Sequence, residues 1–331
     1  MGDIAAVASK PAILQTTPRL TWADRWDHFL ARMGVRRNEH RVEPGLYELG
    51  APTRDSPVFV SANYTLSFDA LRSSLVGISG YILVLDTQGI NVWCAAGKGT
   101  FGTDELVARV EATRLKEVVG HRKMILPQLG APGVAAHEVK KRSGFGVEYG
   151  PVRAGDLPEY LKTHQASPEM RLVRFTLRNR VVLISVEVLQ GLLPMVAAAI
   201  ILYFVGGPVF ALAALAAVLA GNVLFPILLP WIPTRDFSTK GFLLGVLVAL
   251  PFALSVIWRH PSWVWWRQVG QALAFLLAMP AATAFVALNF TGSTSFTSRS
   301  GVKREMFAYI QPMAWAFGLG ILLAIVFVFV R

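Results

Sequence analysis

Residues 81–105 read YILVLDTQGINVWCAAGKGTFGTDE, and the opening of this stretch decides the fold. Tyr81, Ile82, Leu83, Val84 and Leu85 form an unbroken apolar run that ends at Asp86. A strand with one wet face alternates apolar and polar residues. A continuous run instead predicts a strand buried on both faces, as in a parallel sheet covered by helices. Gln88-Gly89 breaks the strand, and Asn91 is placed to cap a short helix carrying Trp93, Cys94, Ala95, Ala96, Gly97 and Lys98. Spacings of three and four residues put Asn91, Cys94 and Lys98 on one face of that helix. Ala95, Ala96, Gly97 and Gly99 carry almost no side chain, so a large group can approach the backbone there.

Working outward, Val58-Phe59-Val60 predicts a second strand, and residues 67–75 a helix with Phe68, Leu71 and Leu75 along one face. Thr103 is placed to cap a helix with Asp104 and Glu105 in its first turn. Met124-Ile125-Leu126 and residues 147–149 complete the expected strands, and residues 156–161 form a terminal helix. Strands alternating with helices predict a doubly wound, Rossmann-like α/β domain over residues 45–165. Ligands of such sheets sit beyond the carboxyl ends of the strands, where loops 87–99, 127–133 and 149–155 are expected to converge. Residues 1–44 form an N-terminal extension. Its helical patch at 22–33 is expected to pack on the domain, with a membrane surface as the other reading.

Across all 331 residues, 53% are hydrophobic, the mean hydropathy is +0.47 and the net charge is +11. That is too apolar for an ordinary soluble enzyme. Charged residues are frequent up to Arg180 and sparse afterwards. Five apolar spans follow a basic linker at 166–181, at about 182–206, 208–232, 241–258, 268–290 and 307–330, near the length a bilayer requires. They predict an all-α, five-helix transmembrane domain at 182–331. Arg171, Arg174, Arg178 and Arg180 precede the first span. Arg235, Lys240, Arg299, Lys303 and Arg304 lie on the same side, against Arg259, Arg267 and Arg331 on the other. This asymmetry predicts a multi-pass protein of the cell (inner) membrane with a cytoplasmic N-terminal domain. Residues at the N-terminus lack the basic start and apolar core of a signal peptide, which agrees with that orientation. The positive charge beside the first span suits anionic membrane lipid better than nucleic acid. Ionisable residues are almost absent within the spans, which argues against a pump.

Cys94 is the only cysteine, which excludes an intrachain disulfide and any multi-cysteine zinc or iron–sulfur site. A lone cysteine is ordinarily a small buried hydrophobe. Gly97, Gly99 and Gly102 spell G-x-G-x-x-G, but a helical turn separates them from the strand. No well-placed acid follows near Gly120, so a dinucleotide site fits poorly. His121 and His137 are isolated and read as surface or packing residues.

NVWCAAGK at 91–98, and its flanks LDTQGINVWCAAGKGTFGTDEL at 85–106, resemble the cap-helix signature of the corrinoid protein of microbial mercury methylation, the HgcA family. The loop NFTGSTSFTSRSGVKREM at 289–306 resembles that family too. ILPQLGAPGV and YGPVRAGDLPEYL resemble segments of the corrinoid domain of the corrinoid iron–sulfur protein of acetyl-CoA synthesis. The resemblance implies a cobamide whose cobalt takes the Cys94 thiolate as lower axial ligand, with Cys94 the catalytic residue. Asn91, Val92, Trp93, Ala95, Ala96, Gly97, Lys98, Gln128, Gly130 and Gly133 are then expected to bind the corrinoid. Lys98 either is solvated or binds a cobamide phosphate or amide.

The implied activity is a membrane-anchored corrinoid-dependent methyltransferase that makes methylmercury. Mercuric ion is an electrophile, so methyl must arrive as a carbanion equivalent or a radical, and a soft thiolate ligand favours that outcome. The implied partners are a ferredoxin-like protein of HgcB type with two 4Fe–4S clusters as electron donor, Hg(II) as substrate, and a methyl-tetrahydrofolate pathway as methyl source. Two other readings are a corrinoid methyl carrier of one-carbon metabolism and a membrane transporter or sensor with a cytosolic ligand-binding domain.

Overall fold

The computed structural model describes residues 12–36, 39–294 and 299–329. Arg331, residues 295–298 of the 289–306 loop, and the first residues of the extension lie outside the described residues. The chain divides into two compact units, with the main boundary between Val173 and Arg174.

The first unit is built on β1 (Ile13–Thr16), β2 (Gly45–Leu49), β3 (Val58–Ala62), β4 (Gly80–Leu85), β5 (Lys123–Leu126) and β6 (Gly146–Tyr149). The order across the sheet is β1-β2-β4-β3-β5-β6. β4, β3, β5 and β6 run parallel, with Phe59 opposite Ile82 on one side and Ile125 on the other. β2 pairs antiparallel with β4, and β1 runs parallel to β2, so the sheet is mixed rather than purely parallel. The 13–16 segment, expected as part of an extension, therefore supplies the edge strand.

Every residue of β4 is buried. Its side chains divide between two cores, as a strand covered on both faces must. Tyr81, Leu83 and Leu85 join one core with Val92, Ala95, Phe101, Leu106 and Val110. Ile82 and Val84 join the other with Phe59, Phe68, Leu71, Leu75, Leu157 and Tyr160. The first core is covered by α3 (Val92–Lys98), α4 (Thr103–Ala112) and α6 (Ala136–Ser143), with α5 (Leu115–Val118) following α4. The second is covered by α2 (Thr65–Ser74) and α7 (Leu157–Thr163). Gly102, not Thr103, is the residue before α4; the Thr103 hydroxyl instead accepts the Ala135 N–H at 2.9 Å.

A further helix, α1 (Trp22–Arg32), is held to this unit through polar groups. Arg72, itself buried, donates to Asp24 at 2.8 Å and to the carbonyls of Thr17 and Arg19 at 2.7 and 2.9 Å. His28 meets Asp69 at 2.7 Å, and His40 meets Asp27 at 2.7 Å and the Val35 carbonyl at 2.6 Å.

The second unit contains five helices long and apolar enough to cross a membrane: Leu177–Gly206, Pro208–Leu228, Phe237–Arg259, Trp265–Asn289 and Ser300–Val328. The first and last begin several residues earlier than the apolar runs suggest, because helix continues through the basic flanks. In the second, the chain widens into a π-type turn at Ala220–Leu224. Pro226 lacks the N–H that would return to Asn222, which accounts for the local loss of α geometry. Gly241 and Gly245 let their helix approach the backbone of Ala284 and Pro280. A Cβ added there would lie 2.8 and 2.5 Å from the respective Cα atoms.

Candidate functional site

The site is assembled from Asn63, where β3 ends. Asn63 is almost fully buried, and its side-chain oxygen accepts the Thr87 N–H at 3.1 Å, the Thr87 hydroxyl at 2.9 Å and the Gly89 N–H at 3.0 Å. Its amide nitrogen donates to Asp86 at 3.2 Å. This one side chain ties down the turn between β4 and α3, in which Gln88 and Gly89 both adopt left-handed conformations. Asp86 Oδ1 also accepts the Gln88 N–H at 3.0 Å, offsetting part of the steric cost of a left-handed non-glycine residue.

The turn delivers Asn91 to the start of α3. Its side chain accepts the Cys94 N–H at 2.9 Å, the expected cap. Val92, Ala95 and Ala96 face the core, whereas Trp93, Gly97 and Lys98 are exposed and Cys94 is half-buried. A Cβ added at Gly97 or Gly99 would meet nothing within 4 Å. Gly99 ends the helix at φ +87°, a conformation glycine adopts without strain. The outer side of α3 therefore offers open backbone at Gly97 and Gly99 beside the Cys94 thiol, together with the exposed Trp93 and Lys98 side chains.

Beside the first turn of this helix lies a cleft of about 350 Å³ at the carboxyl end of the parallel strands. Asn91, Val92 and Trp93 line it, with Leu129 and Pro127 from the loop after β5 and Val152 from the loop after β6. The three loops expected to converge thus share one cleft. Cys94, Gly97 and Lys98 lie outside it on the exposed side of the helix. Ala95 and Ala96 are turned into the core. Gly130 and Gly133 let the loop pack tightly: a Cβ at Gly130 would lie 2.5 Å from the Phe101 ring. One at Gly133 would strike the Phe101 carbonyl and lie 3.0 Å from Ala96 Cα. Gln128 accepts a hydrogen bond from Arg171 at 2.7 Å. His121 donates to the Ser56 carbonyl at 2.9 Å, and His137 is exposed.

Sequence reading missed Asn63 and Asp86 as a pair. The available signal was polarity at both strand ends, Ser61-Ala62-Asn63 and Leu85-Asp86-Thr87, where an open sheet places its binding edge.

A cap helix with open backbone at Gly97 and Gly99, whose first turn lines a cleft at the carboxyl edge of parallel strands, defines an open-sheet ligand-binding domain. Residues 34–161 match the family described as CdhD, CO dehydrogenase/acetyl-CoA synthase delta subunit. The chain is 33% identical over 128 residues to the acetyl-CoA decarbonylase/synthase complex subunit gamma of Archaeoglobus fulgidus, covering 38% of this chain and 27% of that protein. It is 28% identical over 153 residues to the corrinoid/iron-sulfur protein large subunit of Moorella thermoacetica, covering 44% of this chain and 34% of that protein. Residues 34–161 are a domain of this family, homologous to part of the corrinoid/iron-sulfur protein large subunit. The chain spans about a quarter to a third of the length of these relatives. The five apolar helices lie outside the family match.

Proposed function

We propose that the first unit binds a corrinoid and that the chain is a membrane-anchored, corrinoid-dependent methyltransferase. The observation that carries the reading is the outer face of α3, where the Cys94 thiol sits beside backbone open to approach at Gly97 and Gly99. This face lies within the segment homologous to corrinoid/iron-sulfur proteins. The residues fit the group: a broad planar macrocycle needs a surface without side chains, and cobalt accepts a soft sulfur donor. When bound, a cobamide supplies a cobalt centre that can carry a methyl group.

The chain's own contributions follow from the geometry. Cys94 would hold the cobalt through its sulfur, while Asn91 holds the Cys94 backbone. Gly97 leaves room, and Lys98 is free to meet a phosphate or amide of the cofactor. Trp93, Val92 and Leu129 give the cleft an apolar wall. Gly130 and Gly133 act at one remove, by letting the loop after β5 close against α3.

We assign Hg(II) as the methyl acceptor, which rests on the resemblance of 91–98 to the mercury-methylation signature. A chain with one cysteine cannot hold an iron–sulfur cluster of its own, and the same resemblance implies a separate ferredoxin-like protein with two 4Fe–4S clusters as electron donor. Methyl groups come from a methyl-tetrahydrofolate pathway. The arginine and lysine asymmetry orients the first unit to the cytoplasm. A corrinoid methyl carrier of one-carbon metabolism is the second reading, favoured by the acetyl-CoA decarbonylase/synthase relatives.

The test is visible spectroscopy of the purified chain loaded with cobamide, followed by methyl transfer to Hg(II) and to thiol acceptors. Cys94→Ala should keep the cofactor but shift its spectrum and abolish methylmercury formation. Cys94→His should restore a ligand without restoring transfer. A chain that stays colourless would sink the corrinoid reading. An unchanged spectrum in Cys94→Ala would overturn the role given to the Cys94 sulfur, and transfer to thiols alone would favour the carrier.

A further inference from the structure

Helix α1 is docked the opposite way round from an ordinary surface helix. Such a helix buries its apolar stripe and turns charge to water. Here Asp24, Asp27 and His28 face the α/β unit, where they meet Arg72, His40 and Asp69. Trp22, Trp26 and Phe29 stand on the other side, 80%, 54% and 48% exposed. Their spacing of four and three residues makes them one stripe. Trp26 and Phe29 stack on each other with centroids 5.3 Å apart.

The charge around the stripe has a single sign. The two acids of α1 are spent on the inner contacts, whereas Arg19, Arg25 and Arg32 are exposed and, among the described residues, carry no ion pair. Arg36, just beyond the helix, pairs with the exposed Glu39 at 3.6 Å. An aromatic stripe flanked by unpaired arginines has the chemistry of a lipid interface. Indole rings favour the boundary between headgroup and acyl chain, and arginines reach anionic phosphates from beside them. The same chain carries five helices able to cross a membrane, so a bilayer is at hand.

We propose that α1 is an interfacial helix whose Trp22–Trp26–Phe29 stripe enters an anionic bilayer surface while Arg19, Arg25 and Arg32 bind the phospholipid headgroups. Because Arg72 and His40 tie α1 to the sheet domain, the α/β unit gains a lipid contact of its own. The inference is independent of what the Cys94 face binds.

The experiment uses the full chain in nanodiscs of phosphatidylcholine, with or without phosphatidylglycerol, containing lipids brominated near the headgroup end of the acyl chain. Subtracting the emission of Trp22→Phe/Trp26→Phe isolates the two indoles with little disturbance of the fold. Their emission should fall roughly twofold or more in anionic discs, as expected for rings ~5–10 Å into the boundary. Quenching should be weaker in phosphatidylcholine alone, and weaker in Arg19→Gln/Arg25→Gln/Arg32→Gln. Unquenched emission of water-exposed character would overturn the proposal by showing the stripe bare. Blue-shifted emission without bromine quenching would overturn it by showing that protein covers the stripe. Equal quenching in both discs would overturn the role given to anionic lipid.

Discussion

Asn63→Ala tests whether one buried amide holds the turn that aims the cap helix. The substitution removes the acceptor of the Thr87 and Gly89 N–H groups, both in buried residues. The Thr87 hydroxyl loses less, because it already reaches the Ile90 carbonyl at 2.7 Å. Two amide donors are then stranded, each costing about 1–3 kcal/mol, less whatever a water entering the small void restores. A net local loss of about 2–3 kcal/mol corresponds to about 30- to 150-fold faster amide exchange over residues 86–91. Hydrogen–deuterium exchange of the full chain reads this directly, with β4 amides as internal reference.

The charge variants sharpen the same test. Asn63→Asp keeps every acceptor contact but sets a second carboxylate against Asp86, where the amide now donates at 3.2 Å. Mutual repulsion raises the affinity of that pair for a proton. The variant should therefore be close to native when acid supplies the shared proton and loosen as pH rises. Asn63→Asp/Asp86→Asn restores a donor facing an acceptor but takes the acceptor from the Gln88 N–H, so it should recover only part of the protection at neutral pH. Wild-type exchange in Asn63→Ala would refute the assignment of Asn63 as the hub.

The two glycines of the site should respond oppositely to alanine. Gly97→Ala fills open space and replaces a poor helix former, so the fold should gain about 0.5–1 kcal/mol in thermal melts while cobamide affinity falls. Gly133→Ala drives a methyl group into the Phe101 carbonyl and should cost about 1–3 kcal/mol, with a lowered melting temperature as the readout. Burial alone would lower the pKa of His40, but the Val35 carbonyl and then Asp27 outweigh it and raise the pKa above the ordinary 6.5. The stabilisation from His40 is therefore complete below about pH 6.5 and is lost as pH rises through the raised folded value. Amide exchange in α1 should quicken over that window, and His40→Gln should remove this part of the pH dependence. Reporter fusions after Arg331 and within 233–240 should lie on opposite sides of the membrane; both on one side would defeat the proposed orientation.

The parts of the fold legible in the sequence are those where one physical demand dominates. The run Tyr81 to Leu85 suits a strand buried on both faces, and the structure splits those residues between two cores. Asn91 three residues before Cys94 announced a cap, and the structure makes that bond. The five apolar helices follow from length and composition alone. The strands β1 and β2 were not legible, because ILQT and GLYEL carry no signal of their direction. The antiparallel pairing of β2 with β4 is a tertiary choice. The glycines show why site residues are harder to read than folds. Gly97, Gly99, Gly130 and Gly133 look alike as letters near a binding edge, yet two face open space and two face Phe101. Only the first pair can admit a ligand directly; the second sets the shape of the loop beside it. Asn63 is the extreme case, since it lies 31 positions before Cys94 in the chain yet fixes the turn that presents it. A polar residue closing an apolar strand is common, and what distinguishes this one is the turn it binds after crossing to the next strand of the sheet.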